Sequence, residues 1–234
     1  MWKKRLFFLL LAGVVLWPLA RDEALPADAQ ADLPAEMKYI ALTFDDGPRR
    51  GTTERLLDGL RERGASATFF LVGEEIAGSE DLVRRMAAEG HQVGNHTWSH
   101  VRLAGTAPET AEEEVRRTQA ALEELLGEGT YWLRPPYGLI DEDMETDVPM
   151  VKWSVDPRDW ESRNAAQVTQ AVLRDARPNA IILLHDIYPS SVEAALKIVD
   201  ALEAEGYWFV TVEELLRLNG VTPEAGVMYR SGRG

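Results

Sequence analysis

The segment Tyr39-Ile40-Ala41-Leu42-Thr43-Phe44-Asp45-Asp46-Gly47-Pro48 is an apolar run that stops on two adjacent carboxylates and a Gly-Pro turn. A short apolar run closed by turn residues reads as a buried strand. Helical periodicity follows over 53–63 and a second apolar run over 67–72, which makes one strand–helix–strand unit. The rhythm continues outward. With the first strand at 38–44, further strands are expected at 92–94, 131–133, 150–155, 180–184 and 207–210. Helices are expected at 81–89, 109–126, 165–175, 191–205 and 213–218. Thr106-x-x-Glu109, Ser190-x-x-Glu193 and Thr211-x-x-Glu214 have the capping-box form, and Gly64, Gly90, Gly127, Gly206 and Gly220 stand where helices should stop. Alternation at this spacing calls for parallel strands joined by right-handed crossovers, an α/β fold.

At 234 residues the chain is long enough for one well-buried domain and short for two. A formal net charge of −14 argues against nucleic acid or an anionic bilayer as the main partner. There is no Cys, so disulfides and thiolate ligands are excluded and any metal must be held by His and carboxylates.

The unusual polar residues fall at strand ends. Asp45-Asp46 close the first strand, and Asn95-His96-Thr97-Trp98-Ser99-His100 follows the third. Arg134-Pro135-Pro136-Tyr137-Gly138 follows the fourth, Asp156-Pro157-Arg158-Asp159-Trp160 the fifth, and His185-Asp186 ends the sixth. In a barrel of parallel strands these ends converge on one face. Two His and one Asp suit a divalent metal, with positions left for water and substrate. The spacing of four between His96 and His100 is that of a helical turn, which would put both rings on one side. The remaining Asp can act on the water, so the set points to metal-assisted hydrolysis. His91 is expected to be structural.

On these five motifs, in this order, the chain resembles the polysaccharide deacetylase family, carbohydrate esterase family 4, over roughly residues 37–218. The resemblance implies a distorted (β/α) barrel of about seven parallel strands, in a single domain. It implies one divalent metal ion, zinc or cobalt, held by Asp46, His96 and His100. The implied reaction removes N-acetyl groups from N-acetylglucosamine residues of a glycan, peptidoglycan or chitooligosaccharide, and releases acetate. Asp45 would be the general base and Arg134 its partner. The backbone N–H of Tyr137 would stabilise the oxyanion, and Asp159 would orient His185, the general acid. Trp160, Leu183 and Tyr137 would line the sugar and acetyl site. Two rival readings are an O-acetyl esterase on xylan or another glycan, and a cell-wall-binding protein without turnover.

The chain departs from the family pattern at 139–149, which is short and acidic where the family has room for a fuller helix. A solvated loop is expected there; the alternative is a preference for substrates already carrying free amines.

At the N-terminus, Lys3-Lys4-Arg5 precede the apolar run 6–16, and Ala27 and Ala29 offer a small-residue cleavage site, the layout of a secretory signal. The run is short for a membrane-spanning helix. Residues 1–29 are therefore expected to be a signal peptide or an uncleaved anchor, 30–36 a linker, 37–219 the catalytic domain and 220–234 a peripheral tail. The expected product is a monomer that is secreted or held in the cell envelope, touching the membrane only through that N-terminus.

Overall fold

In the computed structural model, which describes residues 37–141 and 144–234, β1 (Lys38–Asp45) is the strand around which the others are ordered. The signal or anchor and the linker expected before Met37 lie outside the described residues. β1 pairs in parallel with β5 (Ile181–His185), from Ala41 opposite Ile181 to Asp45 opposite His185. Along its other edge, the first half pairs with β6 (Tyr207–Phe209) and the second half with β2 (Thr68–Leu71). β2 in turn pairs with β3 (Gln92–Asn95).

Beyond β3 the parallel order continues by single bridges. Asn95 meets Leu133, Leu133 meets Met150 of β4 (Met150–Val151), and Val155 meets Ile182 of β5, which leads back to β1. The fold is a distorted α/β barrel of parallel strands in which part of the wall is not laddered. The expected strand at 131–133 is thus one bridging residue, because Pro135 and Pro136 remove two N–H donors just beyond it. The expected strand at 150–155 is broken where the N–H groups of Ser154 and Val155 both donate to the carbonyl of Ile181. Two residues opposing one is the signature of a bulge.

Eight helices fill the connections among the described residues: α1 (Thr52–Arg63), α2 (Gly73–Ile76), α3 (Glu80–Ala88), α4 (Pro108–Leu126), α5 (Asp159–Ser162), α6 (Ala165–Asp175), α7 (Pro189–Ala204) and α8 (Val212–Leu218). The short α2 and α5 were not expected, since four residues carry no readable period. Thr211 caps α8 as its pattern predicts, its hydroxyl accepting from the Glu214 N–H. Thr106 and Ser190 do not cap. Proline at the first position starts α4 and α7 instead, one or two residues away from the expected caps.

β1 is buried on both faces, and its period of two sorts them. Ile40, Leu42 and Phe44 pack in the main apolar cluster with Leu56, Leu57 and Leu60 of α1 and Ile198 and Leu202 of α7. Ala41, Thr43 and Asp45 take the opposite face. The strand therefore delivers a hydroxyl and then a carboxylate along the barrel interior, towards the end where β3 and β5 also finish. Residues 220–234 are not peripheral: β7 (Met228–Tyr229) pairs with β4, and Tyr229 is buried.

Candidate active site

Arg134 has no exposed surface, and its Nη1 donates to both Thr43 Oγ1 and Asp45 Oδ1 at 2.7 Å. Its Nη2 donates to the Lys152 carbonyl at 3.1 Å, and the guanidinium lies 4.1 Å from the centre of the Phe70 ring. Burial lowers the Arg134 pKa and the Asp45 carboxylate works against that drop. Thr43 and Asp45, two residues apart, reach Arg134 from the same face of β1.

Asp46 Oδ1 lies 3.5 Å from His96 Nε2 and 3.2 Å from His100 Nε2. Burial would raise the Asp46 pKa, but the imidazoles of His96, His185 and His100 hold it down at about 2, so it is ionised at neutral pH. His96 Nδ1 sits 2.6 Å from the Arg134 carbonyl, which can only accept, so that nitrogen carries the hydrogen. A metal ion would meet that ring in its neutral form, whose lone pair is on Nε2, the nitrogen 3.5 Å from Asp46 Oδ1. Asp46 Oδ1 is itself buried with no hydrogen-bond partner. An orphaned carboxylate oxygen facing two imidazole nitrogens has the donor set and spacing of a cation site, and Asp46, His96 and His100 could hold a metal ion. Helical spacing does not bring the two imidazoles together. Residues 96–100 form a bend, with Thr97 and His100 at φ of 65° and 59°.

His185 Nδ1 is 2.8 Å from Asp159 Oδ1, and the His185 N–H donates to Asp159 Oδ2 at 2.9 Å. Ser191 Oγ on α7 donates to the same Oδ2 at 2.5 Å. Asp159 is wholly buried, so these contacts replace its water. Burial would lower the His185 pKa; the Asp159 hydrogen bond and charge, with Asp45 and Asp46 further off, raise it from 6.5 to about 9. With Nδ1 engaged, Nε2 is the nitrogen left to act. Next to it Asp186 is also fully buried, its Oδ2 accepting from Thr53 Oγ1 and its carboxyl packed so tightly on Gly47 that a Cβ there would collide.

One cleft of about 370 Å³ is lined by Asp45, Asp46, His96, His100 and His185 together with Tyr137, Trp153, Asp156, Trp160, Leu183 and Tyr188. Every site residue expected from sequence is at this cleft or directly behind it, as Arg134 and Asp159 are. Leu183 is buried in its wall, while Tyr137 (61%) and Trp160 (43%) are exposed at its mouth. Tyr137 holds φ of 61° and sets its ring edge-on to His100 at 5.0 Å. Trp153, Tyr188 and Ser191 were missed. His91 accepts from the Ala67 N–H at 3.2 Å before β3 begins, far along the strand from the cleft, and burial lowers its pKa, as a structural histidine requires. The acidic stretch is more than a solvated loop: Ile140, Met144 and Val148 pack on Leu103, Leu133 and Met150, and Asp141 accepts from the Gly105 N–H at 2.8 Å.

A family model described as polysaccharide deacetylase matches residues 32–150. The peptidoglycan-N-acetylglucosamine deacetylase PgdA of Listeria monocytogenes is 39% identical over 180 residues, covering 76% of this chain and 39% of that protein. A chitooligosaccharide deacetylase of Bradyrhizobium is 39% identical over 162 residues, covering 67% of this chain and 74% of its own. A solved family 4 acetyl xylan esterase from Clostridium thermocellum, in complex with a cobalt ion, superposes with a TM-score of 0.78 at 35% identity, covering 83% of this chain and 98% of that one. The chain spans about two fifths of the length of PgdA.

Proposed function

The chain belongs to the polysaccharide deacetylase family, and from that premise we propose that it is a metal-dependent hydrolase that removes N-acetyl groups from N-acetylglucosamine residues, with peptidoglycan or chitooligosaccharide as substrate. The observation that supports this most is the register of β1 and β5. Asp45, ion-paired to Arg134, stands directly opposite His185, and the Asp46–His96–His100 trio lies beside them.

A divalent ion in that trio, zinc or cobalt, would polarise the acetyl carbonyl and acidify a water. Asp45 Oδ1 is committed to Arg134, so Oδ2, 3.7 Å from His96 Nε2, is the oxygen that takes the proton of the attacking water. The backbone N–H of Tyr137 would meet the developing oxyanion. His185, raised to about 9, is protonated at neutral pH and gives its Nε2 proton to the departing nitrogen, while Asp159 stabilises the imidazolium. Leu183 and Trp160 offer apolar surface to the acetyl methyl and the sugar.

The cobalt-bound xylan esterase favours a second reading, O-acetyl hydrolysis. An alcohol leaves more readily than an amine, so an esterase would depend less on His185. The proposed setting is extracytoplasmic, consistent with the basic-then-apolar N-terminal sequence and with the cell-wall substrate in the name of PgdA. No helix among the described residues is long and apolar enough to cross a membrane. The deciding experiment measures acetate released from peptidoglycan, chitooligosaccharide and acetylated xylan, with Asp45→Asn alongside. Release from the first two, lost in the variant, is the expected result; release from xylan alone moves the assignment to the esterase. Glycan binding with no acetate from any substrate makes it a wall-binding protein.

A further inference from the structure

Tyr188 belongs to none of the five motifs, yet it lines the cleft with its ring centre 6.3 Å from that of His185. It is built to stay there. Its carbonyl accepts from the N–H groups of Ser191 and Val192 at 3.0 and 3.1 Å, fixing it to the head of α7. Arg163 holds the side chain: its guanidinium lies 4.4 Å from the centre of the Tyr188 ring, and its Nε donates to the Trp160 carbonyl at 3.2 Å. Among the described residues Arg163 makes no salt bridge. One cation therefore ties Tyr188, at the head of α7, to Trp160 of α5, two of the aromatic residues that line the cleft.

We propose that Tyr188, steadied by Arg163, is the stacking platform for the pyranose ring that bears the departing nitrogen. This rests on the glycan reading above. Asp159 occupies His185 Nδ1, so the nitrogen that receives the proton must approach Nε2. A hexosamine hung from that nitrogen lies one ring away from Tyr188. A pyranose presents a face of C–H groups, and an aromatic face backed by a cation is a rigid apolar surface to receive it. Tyr188 is a substrate-binding residue in this scheme and Arg163 a positioning residue; neither moves a proton.

The test uses the full, zinc-loaded chain and chitotetraose, with binding followed by titration calorimetry and turnover by acetate release. Tyr188→Ala is expected to raise Kd and KM about tenfold with kcat within about twofold, Tyr188→Phe to bind as the parent does, and Arg163→Met to weaken binding by a smaller factor. If Tyr188→Ala does not fold, Tyr188→Leu, which keeps bulk without a flat face, decides on the same readouts. An unchanged Kd, a loss confined to kcat, or no binding of chitotetraose by the parent chain overturns the platform. Tyr188-dependent binding without acetate release upholds the platform and overturns the deacetylase reading.

Discussion

Arg134 reaches Asp45 from inside the barrel, at 2.7 Å and with no exposed surface on the arginine. The pair joins the third motif to the first and fixes which carboxylate oxygen is free to act. Removing one partner of a buried ion pair leaves the other charge uncompensated.

Arg134→Met is therefore expected to cost about 3–5 kcal/mol of stability, and the double variant with Asp45→Asn to cost less than the sum of the two single changes. Urea unfolding of the four proteins measures this. Strict additivity would show that the pair is not coupled.

Zinc should stabilise the chain through Asp46, His96 and His100. At a hundredfold excess over Kd the gain is about 2.7 kcal/mol, visible as a rise in Tm. His96→Gln should weaken zinc binding at least tenfold, on the order seen even for the groups behind a ligand, and remove that rise. Chelator should abolish acetate release in the parent protein; activity indifferent to it would refute a metal role.

The His185 pKa is raised in the fold, so the stability it contributes is fully present below the unfolded value of 6.5 and is lost as pH climbs through about 9. In the metal-free protein, unfolding free energy should fall across that window by an amount on the order of 3 kcal/mol. Asp159→Asn should flatten the slope. Unfolding curves at about pH 6, 8 and 10 read it directly.

Asp186 gives the opposite kind of acid. Burial, with the charge of Asp46, pushes its pKa from 3.8 to about 7 against the Thr53 hydrogen bond. The protonated form suits the fold, so stability is present below 3.8 and is lost as pH rises to about 7. Asp186→Asn, neutral throughout, should lack that decline and be more stable than the parent above about pH 7. A less stable Asn variant at every pH would count against a neutral Asp186.

The residues proposed to carry chemistry were readable because they are chemically rare and fall at strand ends. Asp45, His96 and His185 could be placed once the strands were; Thr43, on the same strand face as Asp45, was not singled out. Other features leave no such mark. The His96–His100 meeting depends on left-handed backbone at Thr97 and His100, which non-glycine residues adopt without announcing it. Ser191 reaches Asp159 only because α7 starts at Pro189, two residues before the expected start. Tyr188 reads as an ordinary residue before a helix until α5 and α7 are folded against each other. The break at Ser154 comes from two N–H groups competing for one carbonyl, a contact between segments distant in sequence.

The pairing of β4 with β7 bears on timing. Met150 and Lys152 donate to the carbonyls of Val227 and Tyr229, and the Lys152 carbonyl in turn accepts from Arg134. Tyr229 leaves the ribosome after every residue of the cleft. The β4–β7 pairing behind Arg134 can therefore form only after every residue of the cleft has been made.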